Sequence, residues 1–256
     1  DVGGAHRQGR ARARREAHHS GPIAAILDNM APEGYWVKPG PGYNPKYRSI
    51  VWALIALAQL GASAVEDKRI ATACRYLLDH NMSALGQFSC TAAPSGTVDC
   101  LQGNMCAALV DLGYDDPRLA TAFDWLARSV TGEGIAPASD HAATQRYYAY
   151  KCGPDFACGV NYGEACAWGA VKVMLALSKW PAHKRPRPMR EAIERGAEFL
   201  LAGNPALAHY PGGPSGKPNR AWWKFGFPVF YVTDLLQNVE ALVALGYAAD
   251  PRLASA

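Results

Sequence analysis

Leu112-Gly113-Tyr114-Asp115-Asp116-Pro117-Arg118-Leu119 closes one apolar segment and opens an amphipathic one. The same phrase returns as Leu245-Gly246-Tyr247 before Asp250-Pro251-Arg252-Leu253. Leu60-Gly61 before Asp67-Lys68-Arg69-Ile70 is a further copy, and Leu177-Ser178-Lys179-Trp180 before Pro188-Met189-Arg190 a looser one. Self-similarity at this period marks a repeat architecture. Each copy is a helical hairpin that cannot bury its apolar side alone, so neighbouring copies must stack.

Outward from these junctions, the helices alternate in character. Tyr47 to Leu60 is apolar around most of its circumference, with Ile50, Val51, Leu54, Ile55 and Leu57, and must be surrounded by protein. Arg69 to Asp79 carries one apolar stripe of Ile70, Cys74, Leu77 and Leu78 and is wet on its other side. Leu101 to Leu112 and Arg118 to Arg128 repeat the pair, as do Ala167 to Leu177 and Met189 to Leu201. Val232 to Leu245 is apolar again, and Pro251 to Ala256 only begins its outer partner. Six residues do not make a stable helix, so this end calls for more chain, a second copy, or a partner that covers it. Residues 10–30 read as a first helix, broken at Pro32-Glu33-Gly34. The expectation is an all-α fold of about four inner/outer hairpins: a basic arm over 1–20, then one domain over 21–256. Loops 83–99, 131–165 and 203–228 are long enough to be functional.

The 256 residues are 49% hydrophobic and 19% charged, with a net charge of +4. Much of that excess sits in Arg7, Arg10, Arg12, Arg14 and Arg15, so the repeats are near neutral and offer no spread nucleic-acid footprint. No apolar run reaches the length of a membrane span, and no signal-peptide core follows the basic arm. Seven cysteines, an odd number, fit a reducing compartment better than a disulfide framework. These features together point to a cytoplasmic protein.

Asn29-Met30-Ala31-Pro32-Glu33-Gly34-Tyr35-Trp36 resembles the Gln-x3-Gly-x-Trp repeat of squalene–hopene cyclases, with Asn in the Gln place. Together with the hairpins, Asp99-Cys100-Leu101-Gln102-Gly103-Asn104, the cysteine-rich 152–166 segment and Trp222-Trp223-Lys224-Phe225-Gly226-Phe227-Pro228, it is similar to the α/α-toroid superfamily of terpenoid cyclases and protein prenyltransferase β subunits. The likeness is greatest to bacterial prenyltransferase/squalene-cyclase-like repeat proteins. The resemblance covers most of residues 25–256 and implies an α/α toroid, here incomplete, because that fold has six hairpins. It implies a hydrophobic, isoprenoid-type ligand in a central cavity. It does not carry catalysis across: the Asp-x-Asp-Asp acid of class II cyclases is missing. Asp99 and Cys100 are adjacent rather than spaced as in the Asp-x-Cys zinc site of prenyltransferases.

Cys100 and Cys166 each open an inner helix, where the helix dipole favours thiolate. Neighbouring inner helices lie roughly 10 Å apart, a gap that the loop carrying Cys152 and Cys158 can bridge. Cys100, Cys152, Cys158 and Cys166 would then make a tetrahedral zinc site, or an iron–sulfur site less readily. Their spacing lacks the paired C-x2-C knuckles, so buried inert cysteines and disulfides stay open as readings. Cys90 and Cys106 could substitute as ligands.

Asp234 and Asp99, at the starts of inner helices, are candidate acids, since a carboxyl in apolar surroundings has a raised pKa. The competing role for each is a helix cap. Trp36, Tyr47, Trp223 and Tyr231 are candidate substrate-binding rings, alongside Tyr43, Tyr147, Tyr148 and Tyr150; the plainer role is to plug loop–helix junctions. Lys172 and Lys224 could hold an anion at helix ends. The expectation is a prenyltransferase/terpene-cyclase-like protein with a hydrophobic small-molecule partner and a zinc site. Its competitor is a non-enzymatic scaffold with structural zinc and a protein partner on its concave face.

Overall fold

The computed structural model describes residue 9 and residues 12–137, 139–143, 151–212 and 216–256. Arg7, Arg10, Tyr147, Tyr148 and Tyr150 lie outside the described residues. Eight α-helices follow one another: α1 Gly21–Leu27, α2 Ile50–Gln59, α3 Lys68–Asn81, α4 Asp99–Asp111, α5 Arg118–Thr131, α6 Ala167–Lys179, α7 Arg187–Leu201 and α8 Leu235–Leu242. No strand forms among the described residues, only two isolated bridges, so the chain is all-α there.

The expected long first helix is interrupted. Residues 12–16 are helical, then the chain breaks before Gly21 (φ 73°), and Pro22 starts α1 afresh. The last apolar segment is shorter than its periodicity suggests. It spans α8 and then widens into a π-turn over Val243–Tyr247.

The hairpins sort into two rows. α2 packs on α4, α4 most extensively on α6, and α6 on α8, while α3, α5 and α7 lie behind α2, α4 and α6, with α5 along α7. Burial follows the rows. In α4 even Gln102, Gly103 and Asn104 are buried, and in α6 everything from Gly169 to Leu177 is, whereas α3, α5 and α7 each bury one face. Gly103 lets α4 and α6 touch: a Cβ there would lie 2.4 Å from the carbonyl carbon of Lys172.

The repeated Leu-Gly and Asp-x-Arg phrases have repeated jobs. Gly61 and Gly113 end α2 and α4 at φ 77° and 69°, where a side chain would be strained. Asp67, Asp116 and Asp250 each accept the backbone N–H two residues on, at 2.8, 2.9 and 2.9 Å, and hold the guanidinium of Arg69, Arg118 and Arg252. Each arginine then reaches back to an acid of the preceding copy: Arg69 to Asp28, Arg118 to Asp79 and Arg252 to Glu198. In the looser copy Arg187, not Arg190, does this, pairing with Glu133 at 2.6 Å.

Candidate functional site

Two concavities gather the polar and apolar groups that the repeats leave uncommitted. The first is a cavity of about 500 Å3 at the N-terminal ends of α4 and α6, bordered by Cys90, Asp99, Cys100, Cys158, Cys166 and Tyr231, with Lys46 and Lys151 at its edge. Sequence folds it locally as follows. Val98 is extended and Asp99 begins α4, so Asp99 and Cys100 occupy its first turn. Cys166 caps α6 at the end of a short hairpin that starts at Cys158. Phe88 N–H donates to Gln102 Oε1 at 2.7 Å, which holds the loop carrying Cys90 against α4.

Asp99 is buried against the first turn of α6. A methyl group at Gly169 would sit 3.2 Å from its Cβ and 3.9 Å from its Oδ2. Ser129 Oγ donates to Oδ1 over a long 3.4 Å, and Oδ2 has no hydrogen-bond partner among the described residues. Burial, then the nearby Cys158, pushes this carboxyl well above the ordinary range, so it holds a proton more tightly than a solvated acid.

The thiols divide differently from the expectation drawn from helix dipoles. Cys100 is raised to about 12 by burial and by the Asp99 carboxyl, so desolvation outweighs the dipole of α4. Cys158 is the one held below the usual thiol range: hydrogen bonding with Cys166 is the largest cause, helped by the backbone N–H groups of Asn161 and Val160 and opposed by burial. The same hydrogen bond, with burial, raises Cys166. Burial raises Cys90 to about 11.

Of the four cysteines expected as zinc ligands, Cys100, Cys158 and Cys166 border this cavity and Cys152 does not. Cys152 is buried in a small separate cluster with Trp125 and Ile135. None of the seven cysteines is in a disulfide. Thiolates and a carboxylate are zinc's ligand types. Among the described residues, however, no three His, Cys, Asp or Glu side chains converge closely enough to hold a metal ion as they stand.

The second concavity, about 400 Å3, is bordered by four helices: Ile55 of α2, Ala107 of α4, Leu175 of α6 and Leu236 of α8 contribute to its wall. A strap over 225–230 runs across it. Gln59 pins the strap twice, donating to Val229 O at 2.7 Å and accepting its N–H at 2.8 Å, and Asn104 donates to Phe230 O at 3.3 Å. This concavity is amphipathic rather than uniformly greasy. Phe225, Phe227 and Leu236 expose more than half their surface into or beside it, and the Asp111–Lys179 ion pair (3.0 Å) and Glu240 share the wall.

The rings expected to bind substrate do not border this concavity; Trp36 and Tyr47 border another, of about 470 Å3. Trp36 is buried and donates its indole N–H to Ile26 O at 2.8 Å. Tyr47, at φ 64°, packs on Trp52, Phe230 and Tyr231. Trp223 donates to Ala206 O, and Tyr231 borders the thiol cavity with Lys46 5.0 Å from its ring centre. None of the four borders this second concavity; Phe225 and Phe227 do. Asp234 accepts Gln237 N–H at 2.9 Å as the cap of α8, and it borders this second concavity. Lys172, expected at a helix end, is buried in mid-α6, where its ammonium donates to Gln237 Oε1. The signal for it was legible: a lone lysine inside Val171-Lys172-Val173 in an apolar helix must find an internal acceptor.

No family model matches the chain, and no curated protein or solved structure matches it either. No helix among the described residues is long and apolar enough to cross a membrane.

Proposed function

We propose that this protein is an α/α-toroid-type binding protein, prenyltransferase- and terpene-cyclase-like in architecture. In this reading it takes a hydrophobic, isoprenoid-type molecule with one polar end into the space between its inner helices. The observation that carries the reading is the lumen itself, faced by α2, α4, α6 and α8 and overhung by exposed Phe225, Phe227 and Leu236. Large apolar side chains left in water around a concavity mark a binding surface. The Asp111–Lys179 pair and Glu240 suit the polar end of such a ligand.

Zinc belongs to the same proposal at the thiol cavity. Cys100, Cys158 and Cys166 would hold it, with Cys90 or Asp99 completing the set, and it would supply either a structural clamp or a Lewis acid. The unpartnered Asp99 Oδ2 supports a cation there. The wetness of the lumen favours a second reading, a scaffold that holds a peptide of a partner protein against the polar wall.

Organic extraction of the purified protein with mass spectrometry tests the ligand. The expected result is a near-stoichiometric isoprenoid lipid, reduced about tenfold when Phe225 and Phe227 are both changed to Ala. Protein that yields no lipid from either form defeats the lipid reading. Elemental analysis should give about one zinc per chain in wild type and none in Cys100→Ser. Zinc-free wild-type protein that folds normally would remove the metal.

A further inference from the structure

Trp168, in the first turn of α6, stands between two cavities. One is the thiol cavity of about 500 Å3, the other holds about 540 Å3, and Asn161, Cys166 and Trp168 border both. The charge along them is one-sided. Lys46, Lys151, Lys217 and Arg220 border the pair, and the single carboxylate bordering either among the described residues is that of Asp99, buried in the first turn of α4. Lys46 and Arg220 have no acid within ion-pair distance among the described residues, whereas Arg69, Arg118, Arg187 and Arg252 each hold two. Both α4 and α6 begin at the thiol cavity, so their dipoles add to the positive potential there. The near-neutral composition of the repeats conceals this separation, because a count of charges does not say at which helix end each one sits. Rings accompany the cations. Tyr162 borders the larger cavity and is 70% exposed, and Trp168 is half-buried. The Lys46 ammonium lies 5.0 Å from the centre of the Tyr231 ring and 5.6 Å from that of Tyr43, which holds it at the edge of the thiol cavity.

We infer that the two cavities form one cleft for a single-stranded nucleic acid, with phosphates on Lys46 and Arg220 and a base stacked on Trp168. Cations that track a phosphate chain, interleaved with rings that stack on bases, are what recognition of a single strand requires. A duplex presents its phosphates but hides its base faces, so it would leave the rings without a partner. An acidic peptide would satisfy the cations and likewise leave the rings unused. Each cavity carries its own cations and rings, and the two join at Trp168, so the cleft suits linked nucleotides rather than one. Neither the lipid nor the zinc is needed for this, and a zinc ion in the thiol cavity would add to its positive charge.

Fluorescence anisotropy of a labelled oligothymidylate of about ten nucleotides, titrated with the full-length protein from about 50 mM salt upward, tests the cleft. The expected result is saturable binding that weakens steadily as salt rises. Trp168→Ala should weaken it about tenfold at every salt concentration without changing the salt slope, and Trp168→Phe, which keeps a stacking face, should restore most of the loss. Lys46→Ala and Arg220→Ala should each lower the slope of log affinity against log salt by about 0.7. Both residues are exposed, so these two variants test the site independently of any effect of Trp168→Ala on folding, which circular dichroism monitors. Arg75→Ala, on the outer helix α3, should change neither affinity nor slope. Absence of binding at the lowest salt would overturn the inference. So would thymidine monophosphate binding as tightly as the oligomer, or a folded Trp168→Ala protein that binds like wild type, which marks a bare polyanion surface.

Discussion

Lys172 is fully buried in α6, and its ammonium donates to Gln237, which also accepts from Thr233 Oγ1 at 2.8 Å. Burial lowers its pKa to about 7, far beneath the roughly 10.4 of a solvated lysine. Below pH 7 both folded and unfolded chains carry the proton, and the fold bears the full cost of a buried ammonium. Between about 7 and 10.4 the unfolded chain holds a proton that the folded one lacks, so this residue makes stability rise with pH across that window. Lys172→Met should therefore stabilise the protein by roughly 2–4 kcal/mol at pH 6, with the gain shrinking towards pH 10. Thermal unfolding of both proteins across that range measures the gap, and a gap independent of pH would refute the account. Asp99 works in the opposite sense: its raised carboxyl favours the fold at low pH and loses that contribution as pH climbs through the folded value.

Among the elements, the α4–α6 pair determines how closely the inner row packs. Gly103 meets the backbone of Lys172 and Val173, and Gly196 lies against the Met174 side chain on the other side of α6. A flexible methionine can move aside; a helix backbone cannot. Gly103→Ala should cost about 2–4 kcal/mol by forcing α4 off α6. Gly203→Ala, where a Cβ meets open space, should stay within about 0.5 kcal/mol of wild type. Urea unfolding of the two variants provides the comparison, and equal midpoints would show that the helices separate freely.

At the scale of the molecule, arginine clamps run along the outer row, linking Asp28 to Arg69, Asp79 to Arg118, Glu133 to Arg187 and Glu198 to Arg252. Each is partly exposed, and solvent-screened ion pairs add little to stability, so their value lies in fixing the register of one hairpin on the next. The strap over the lumen is held by backbone bonds from single side chains. Gln59→Ala removes two of them, at about 1 kcal/mol each, and should free residues 225–230 while leaving the helices in place. Hydrogen exchange at the Val229 amide should then accelerate, with little change at α4 and α6. Unchanged exchange there would mean that the strap is fixed by its aromatic packing instead.

The repeat-like helices and most of their ends were legible in the chain, because apolar periodicity and Leu-Gly or Asp-x-Arg punctuation act over a few residues. Gly61, Asp116 and Asp250 do locally what their neighbours dictate. The cavity was half legible: thiols at two helix starts pointed to Cys100 and Cys166, and Asp99 stood beside one of them. Only tertiary structure turned Cys152 towards Trp125 and drew Cys158 and Cys90 to the cavity of Cys100 and Cys166. It also assigned Phe225 and Phe227, rather than Trp36 or Tyr231, to the lumen. The reason is physical. A helix follows from spacing along one chain, whereas which loop side chain faces a cavity depends on hydrogen bonds such as Gln59 to Val229, made 170 residues apart.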